Sequence, residues 1–133
     1  MYIMKDITTT EDVELLINSF YDRVKQDALI GYIFNDIIGA DWSHHLPLMY
    51  KFWNMVLLTL PGYEGYPTRS HVEISKKVPL KKEHFDRWLE LWSSTIDQLF
   101  AGDIADQAKT KAELMANLMR IKIEDSAKEG FIQ

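Results

Sequence analysis

Residues 41–59 read Asp41-Trp-Ser-His-His-Leu-Pro-Leu-Met-Tyr-Lys-Phe-Trp-Asn-Met-Val-Leu-Leu-Thr59. Within them Trp42, His45, Leu46, Met49, Phe52, Trp53, Val56 and Leu57 recur at three- and four-residue steps. That is the spacing of one apolar face of an α-helix, so the stretch predicts a helix over 41–59. Pro47 comes early in it, where a missing N–H costs least, and Pro61 closes it. The face carries a single imidazole, His45. Its neighbour His44 is rotated about 100° away and belongs on the surface or at an edge.

The same period continues on both sides. Upstream, Val13, Leu16, Ile17, Phe20, Tyr21 and Val24 predict a helix over about 11–26, with Thr8 and Glu11 spaced as a capping box. Ile30, Ile33, Phe34 and Ile37 then suit a short helix or tight turn closing near Gly39. Residues 61–70 hold two of the four prolines and two of the six glycines and read as loop. A short helical piece is expected over 71–74. Phe85, Trp88, Leu89, Trp92, Ile96, Leu99 and Phe100 predict a helix over about 82–101, with Gly102 as its stop. Ile104, Ala108, Ala112, Met115, Leu118 and Met119 predict a last helix over about 103–127. No stretch alternates with the period of a strand, so the fold class is all-α.

The chain has 133 residues, 47% of them hydrophobic and 12% aromatic, which suits one folded domain over 1–133 with a buried core. It has no cysteine, which excludes disulfide scaffolds, cysteine-based zinc sites, iron–sulfur clusters and thiol nucleophiles. Twenty acidic residues against fifteen basic ones give a formal charge of −5, and no basic run suits nucleic acid. The most apolar stretch, Met55 to Leu60, is far shorter than the about 20 residues a membrane span needs. The N-terminus lacks the basic-then-apolar layout of a signal peptide, so a cytoplasmic protein is expected. Nucleophile elbows, zinc-protease helices, P-loops and dinucleotide fingerprints are absent, and no catalytic residue is assigned.

The histidines and aromatics remain as candidates for chemistry. His45 sits on an apolar stripe, either as a satisfied core histidine or facing a ligand. His84 lies in the first turn of the 82–101 helix, off its stripe, and is expected in solvent. His71 follows the glycine- and proline-rich loop, with only Val72 and Ile74 as apolar neighbours. It is either an incidental loop histidine or a ligand to a metal or cofactor. Tyr21, His45 and Trp88 offer O–H and N–H groups from three helices. If they converge, they form the polar end of an otherwise apolar cavity, suited to an apolar-bodied ligand with one polar reactive point.

Taken together, several of these features resemble a truncated hemoglobin: Phe20-Tyr21 late in the first long helix, Phe34, His45 with Phe52-Trp53 on one stripe, His71 after the loop, and His84-Phe-Asp-Arg-Trp88-Leu. Their order and spacing carry the resemblance over about residues 10–125. It is closest to the third group of that family, because the adjacent glycine pairs usual in the other two groups are missing. The resemblance implies a globin-like, truncated 2-over-2 helical sandwich around heme b (iron protoporphyrin IX). It implies His71 as the iron ligand and Tyr21, His45 and Trp88 as the polar distal residues. Phe34 packs on the heme edge, and Met49, Phe52 and Trp53 wall the pocket. Arg69, Tyr63, His44 and Lys77 are candidates for the propionates. Whether His45 itself reaches the iron stays open.

The implied ligands are O2 and other small molecules, including NO, CO and peroxide. A donor aimed at a ligand oxygen that gains negative charge is worth about 1.5–3 kcal/mol. That slows release by about 10- to 150-fold, which suits sensing or redox chemistry better than transport. A slow peroxidase or NO-detoxifying enzyme uses the same pocket and needs a separate reductase, since the chain has no flavin or nicotinamide motif. A heme-free, globin-shaped sensor or interaction domain is a further alternative. A metal site built on His44, His45 and His71 with Asp41 or Glu73 is poor, because adjacent helical histidines point about 100° apart.

Overall fold

The first long helix, α1 (Thr10–Gln26), begins at a capping box. Thr9 Oγ1 accepts the Asp12 N–H at 3.1 Å, and the Asp12 carboxylate accepts the Thr9 N–H at 3.1 Å. The box lies one residue beyond the expected Thr8–Glu11 pair. Asp12, the third helical residue, also takes the Thr8 N–H at 2.9 Å and the Lys5 ammonium at 2.6 Å. Partial burial opposes the charge on Asp12, but these bonds hold its carboxyl down at about 2. All six apolar residues that predicted α1 are buried.

A computed structural model describes residues 4–39, 41–65 and 79–129. Within them four more helices follow: α2 (Gly31–Ile38), α3 (Trp42–Leu58), α4 (Lys82–Leu99) and α5 (Asp103–Glu129). The helix piece expected over 71–74 lies outside the described residues. The turn from α1 into α2 is set by Asp27, whose carboxylate accepts the N–H groups of Leu29 and Ile30 at 3.1 Å each. Gly31 is required there, since a Cβ would lie 2.9 Å from the carbonyl oxygens of both Val24 and Lys25. Pro47 sits inside α3 without ending it.

α1 packs on α3 and α4 packs on α5, and the two pairs meet chiefly through α1 and α4. The result is an all-α, 2-over-2 helical sandwich with no strand among the described residues. Trp92 of α4 is fully buried and donates its Nε1–H to the Ala108 carbonyl of α5 at 3.1 Å. Ala105, Ala108, Ala112 and Ala116 form the buried face of α5, and their small side chains let α4 approach closely. Polar ties join α1 to α4. Arg87 binds Asp27 at 2.8 Å, and Arg23 donates to Thr95 at 3.1 Å and to Gln98.

Gly102 does not act as a simple helix stop. Helical backbone ends at Leu99, and Phe100 is already extended. Gly102 instead makes room for Asp6, whose carboxylate oxygens accept the Ile104 and Ala105 N–H groups at 2.9 Å and so cap α5. A Cβ at Gly102 would lie 2.5 Å from Asp6 Cγ. Among the described residues no helix is long and apolar enough to cross a membrane.

Candidate functional site

Three helices send aromatic rings into the space between the two pairs. Phe20 of α1 meets Tyr21, Trp88 and Trp92 edge-on, with ring centroids 5.0, 5.7 and 5.0 Å away. Trp53 of α3 stacks on Trp92 at 4.5 Å, and Trp92 is parallel to Trp88 at 6.0 Å. Phe52 stands edge-on to Trp53 and to Tyr63 of the following loop. Rings packed this way keep their planes fixed. They wall a cavity of about 430 Å³, within the size range of sites for small molecules and cofactors.

One end of the cavity is polar. His45 Nε2 of α3 lies 3.3 Å from Tyr21 Oη of α1, with ring centroids 5.3 Å apart. Tyr21 is buried, and burial pushes its phenol above the ordinary value, so it stays protonated as a donor. When the imidazole carries its proton on Nε2 it donates to Tyr21, and the phenol O–H is left for a ligand. The other tautomer reverses that bond. Trp42 packs edge-on to both Tyr21 and His45 and carries the Lys25 ammonium 4.3 Å above its ring. Trp88 is half-buried on the cavity wall, and its indole N–H has no acceptor among the described residues. Trp92 lines the same space, but its N–H is committed to Ala108.

The donor set has a definite chemical meaning. A flat, apolar body is matched by aromatic and aliphatic walls. The Tyr21–His45 pair sets polar groups into that lining, which suits a ligand with one polar point. No protein-family model matches the chain. Over 110 residues it is 27% identical to the group 3 truncated hemoglobin of Campylobacter jejuni, covering 80% of this chain and 84% of that protein. It is also similar to the crystal structure of the group III truncated hemoglobin from Campylobacter jejuni. The TM-score is 0.82 at 24% identity, over 91% of this chain and 95% of that one. This chain has the fold of a truncated hemoglobin. The protein it is similar to belongs to the third group, the one that the missing glycine pairs implied.

On the truncated-hemoglobin fold, Tyr21, His45, Trp88, Phe34, Met49, Phe52 and Trp53 all line one cavity. His71 lies outside the described residues, as do Arg69 and Lys77. His44 is exposed, while Tyr63 lines the cavity beside Phe52. One expectation is corrected. His84, expected in solvent, is half-buried and lines the cavity from the first turn of α4. Its Nδ1 accepts the Lys81 N–H at 2.9 Å. Ile33, Phe85 and Met119 also line the cavity, although their stripes read simply as core. An apolar stripe reports which way a side chain faces, but not whether it meets another side chain or an open space.

Among the described residues no group of three or more His, Asp or Glu side chains could hold a metal ion. A porphyrin iron needs only one strong protein ligand, so this is compatible with a single imidazole.

Proposed function

We propose that this chain is a single globin domain over 1–133 that binds heme b (iron protoporphyrin IX) and, through it, O2 and other small diatomic ligands. The observation that carries this is the polar end of the cavity. Tyr21 and His45 are 3.3 Å apart there, and Trp88 shares an otherwise apolar wall. The similar sequence and the similar crystal structure, each named as a truncated hemoglobin of Campylobacter jejuni, support it.

We assign the iron to His71, as the resemblance to truncated hemoglobins implies; its neutral imidazole would supply the one strong protein ligand that a heme iron needs. Phe34, Met49, Phe52 and Trp53 hold the porphyrin body by apolar contact. Heme, when bound, supplies the iron centre at which a diatomic ligand is held. The rest is done by side chains of this chain. Tyr21 keeps its phenolic proton because it is buried, and it offers that proton to the ligand. His45 sets the direction of the phenol O–H through its tautomer. Trp88 offers an indole N–H from the opposite helix pair, and the apolar rings around the site strengthen a bond made there. If the pocket turns over as an enzyme, its electrons must come from a separate reductase.

Hemin titrated into the heme-free protein tests the reading. Trp53, Trp88 and Trp92 line the cavity, so their fluorescence is expected to fall to a plateau at one hemin per chain as a sharp Soret band grows. A featureless, non-saturating response would contradict heme binding in this cavity.

A further inference from the structure

We infer that His84 is a positioning residue that holds a carboxylate side chain of the porphyrin, an inference that rests on the heme-binding reading above. His84 lines the cavity from the first turn of α4. Its Nδ1 accepts the Lys81 backbone N–H at 2.9 Å, which leaves the ring proton on Nε2. The tautomer is therefore set by the backbone and not by the ligand. No described residue accepts from that Nε2–H.

Protoporphyrin IX is apolar except at its iron and its two carboxylates. The Tyr21–His45 pair and Trp88 belong to the iron's ligand, so the carboxylates need donors elsewhere on the wall. No lysine or arginine is among the described residues that line the cavity; of the donors left there, the Tyr63 phenol and the His84 N–H, it is His84 whose direction a backbone bond fixes. Its place in the first turn of α4 adds the positive end of that helix's dipole, which favours an anion there. Glu64 also lines the cavity, but it is exposed on the loop after α3, where its carboxylate meets solvent.

The test compares hemin with its dimethyl ester, which has the same ring and no carboxylates. Three proteins are loaded with each: the parent chain, His84→Phe and His84→Gln. Release is timed by transfer to an excess of a heme-free acceptor globin. Helix content by circular dichroism confirms that the variants fold. Hemin is expected to leave His84→Phe about tenfold faster than the parent, the loss of one net hydrogen bond to a charged group. Release of the diester is expected to be unchanged, and His84→Gln, which keeps an N–H donor, to recover part of the hemin difference. Equal hemin release from the parent and His84→Phe overturns the inference and leaves heme binding standing. Equal acceleration of hemin and diester overturns it in favour of plain packing. A parent chain that takes up neither compound overturns heme binding and this inference together.

Discussion

At the scale of single residues, the site rests on a buried phenol. Tyr21 is boxed by Phe20, Phe34, Trp42 and His45, with ring centroids 5.0 to 5.9 Å away. Burial raises its phenol, so it remains a donor through the physiological range. Tyr21→Phe keeps the ring and removes the donor. O2 release measured by stopped flow is expected to speed up by about tenfold or more. An unchanged rate would mean that the phenol serves only His45. Tyr21 and His45 were legible in the sequence because each is a polar group at a core position of a helical stripe. His84 was not. It sits off the α4 stripe, and it lines the cavity because its ring is pinned back to the Lys81 N–H, a tie across one turn that helical periodicity does not report.

At the scale of elements, the helix ends are held by carboxylates. Asp12 closes α1, and its carboxyl is held at about 2 against an ordinary 3.8. The folded value is the lower one, so its contribution to stability is complete above about pH 4 and is lost as pH falls through 2. Asp12→Ala is expected to cost about 1 kcal/mol in urea unfolding at pH 7 and much less at pH 2. An equal cost at both would show that the charge plays no part. Asp6 closes α5 from the other end of the chain, and Gly102 gives it room at a φ of 142°. Gly102→Ala is expected to lower stability by about 1–3 kcal/mol, read as a fall in Tm, because the backbone is strained and the cap displaced. The sequence showed a glycine between two helices. It did not show that a carboxylate nearly a hundred positions away needed the space. The helices themselves were legible, since the stripes of α1, α3 and α4 are long and strongly periodic, and their ends fell within a residue or two of expectation.

At the scale of the molecule, the two helix pairs are held apart by what lies between them and tied together at one corner. Trp92 is the centre of the aromatic stack, touching Phe20, Trp53 and Trp88 while bonded to Ala108. Trp92→Ala is expected to cost about 3–5 kcal/mol in chemical denaturation. A cost under 1 kcal/mol would show that the pairs are held chiefly by the Asp27–Arg87 and Arg23–Thr95 ties. The pairing was beyond reach of periodicity alone and came from the order of residues that resembles a truncated hemoglobin. The whole molecule then stands or falls on whether the space between the pairs takes an iron porphyrin through His71. Absorption spectra of the purified protein, ferric, dithionite-reduced and with CO, decide it when recorded beside those of His71→Ala. Heme binding through His71 predicts a strong Soret band that shifts with CO in the parent chain and is lost in the variant. No Soret band after hemin is added back, or an unaltered one in His71→Ala, would contradict it.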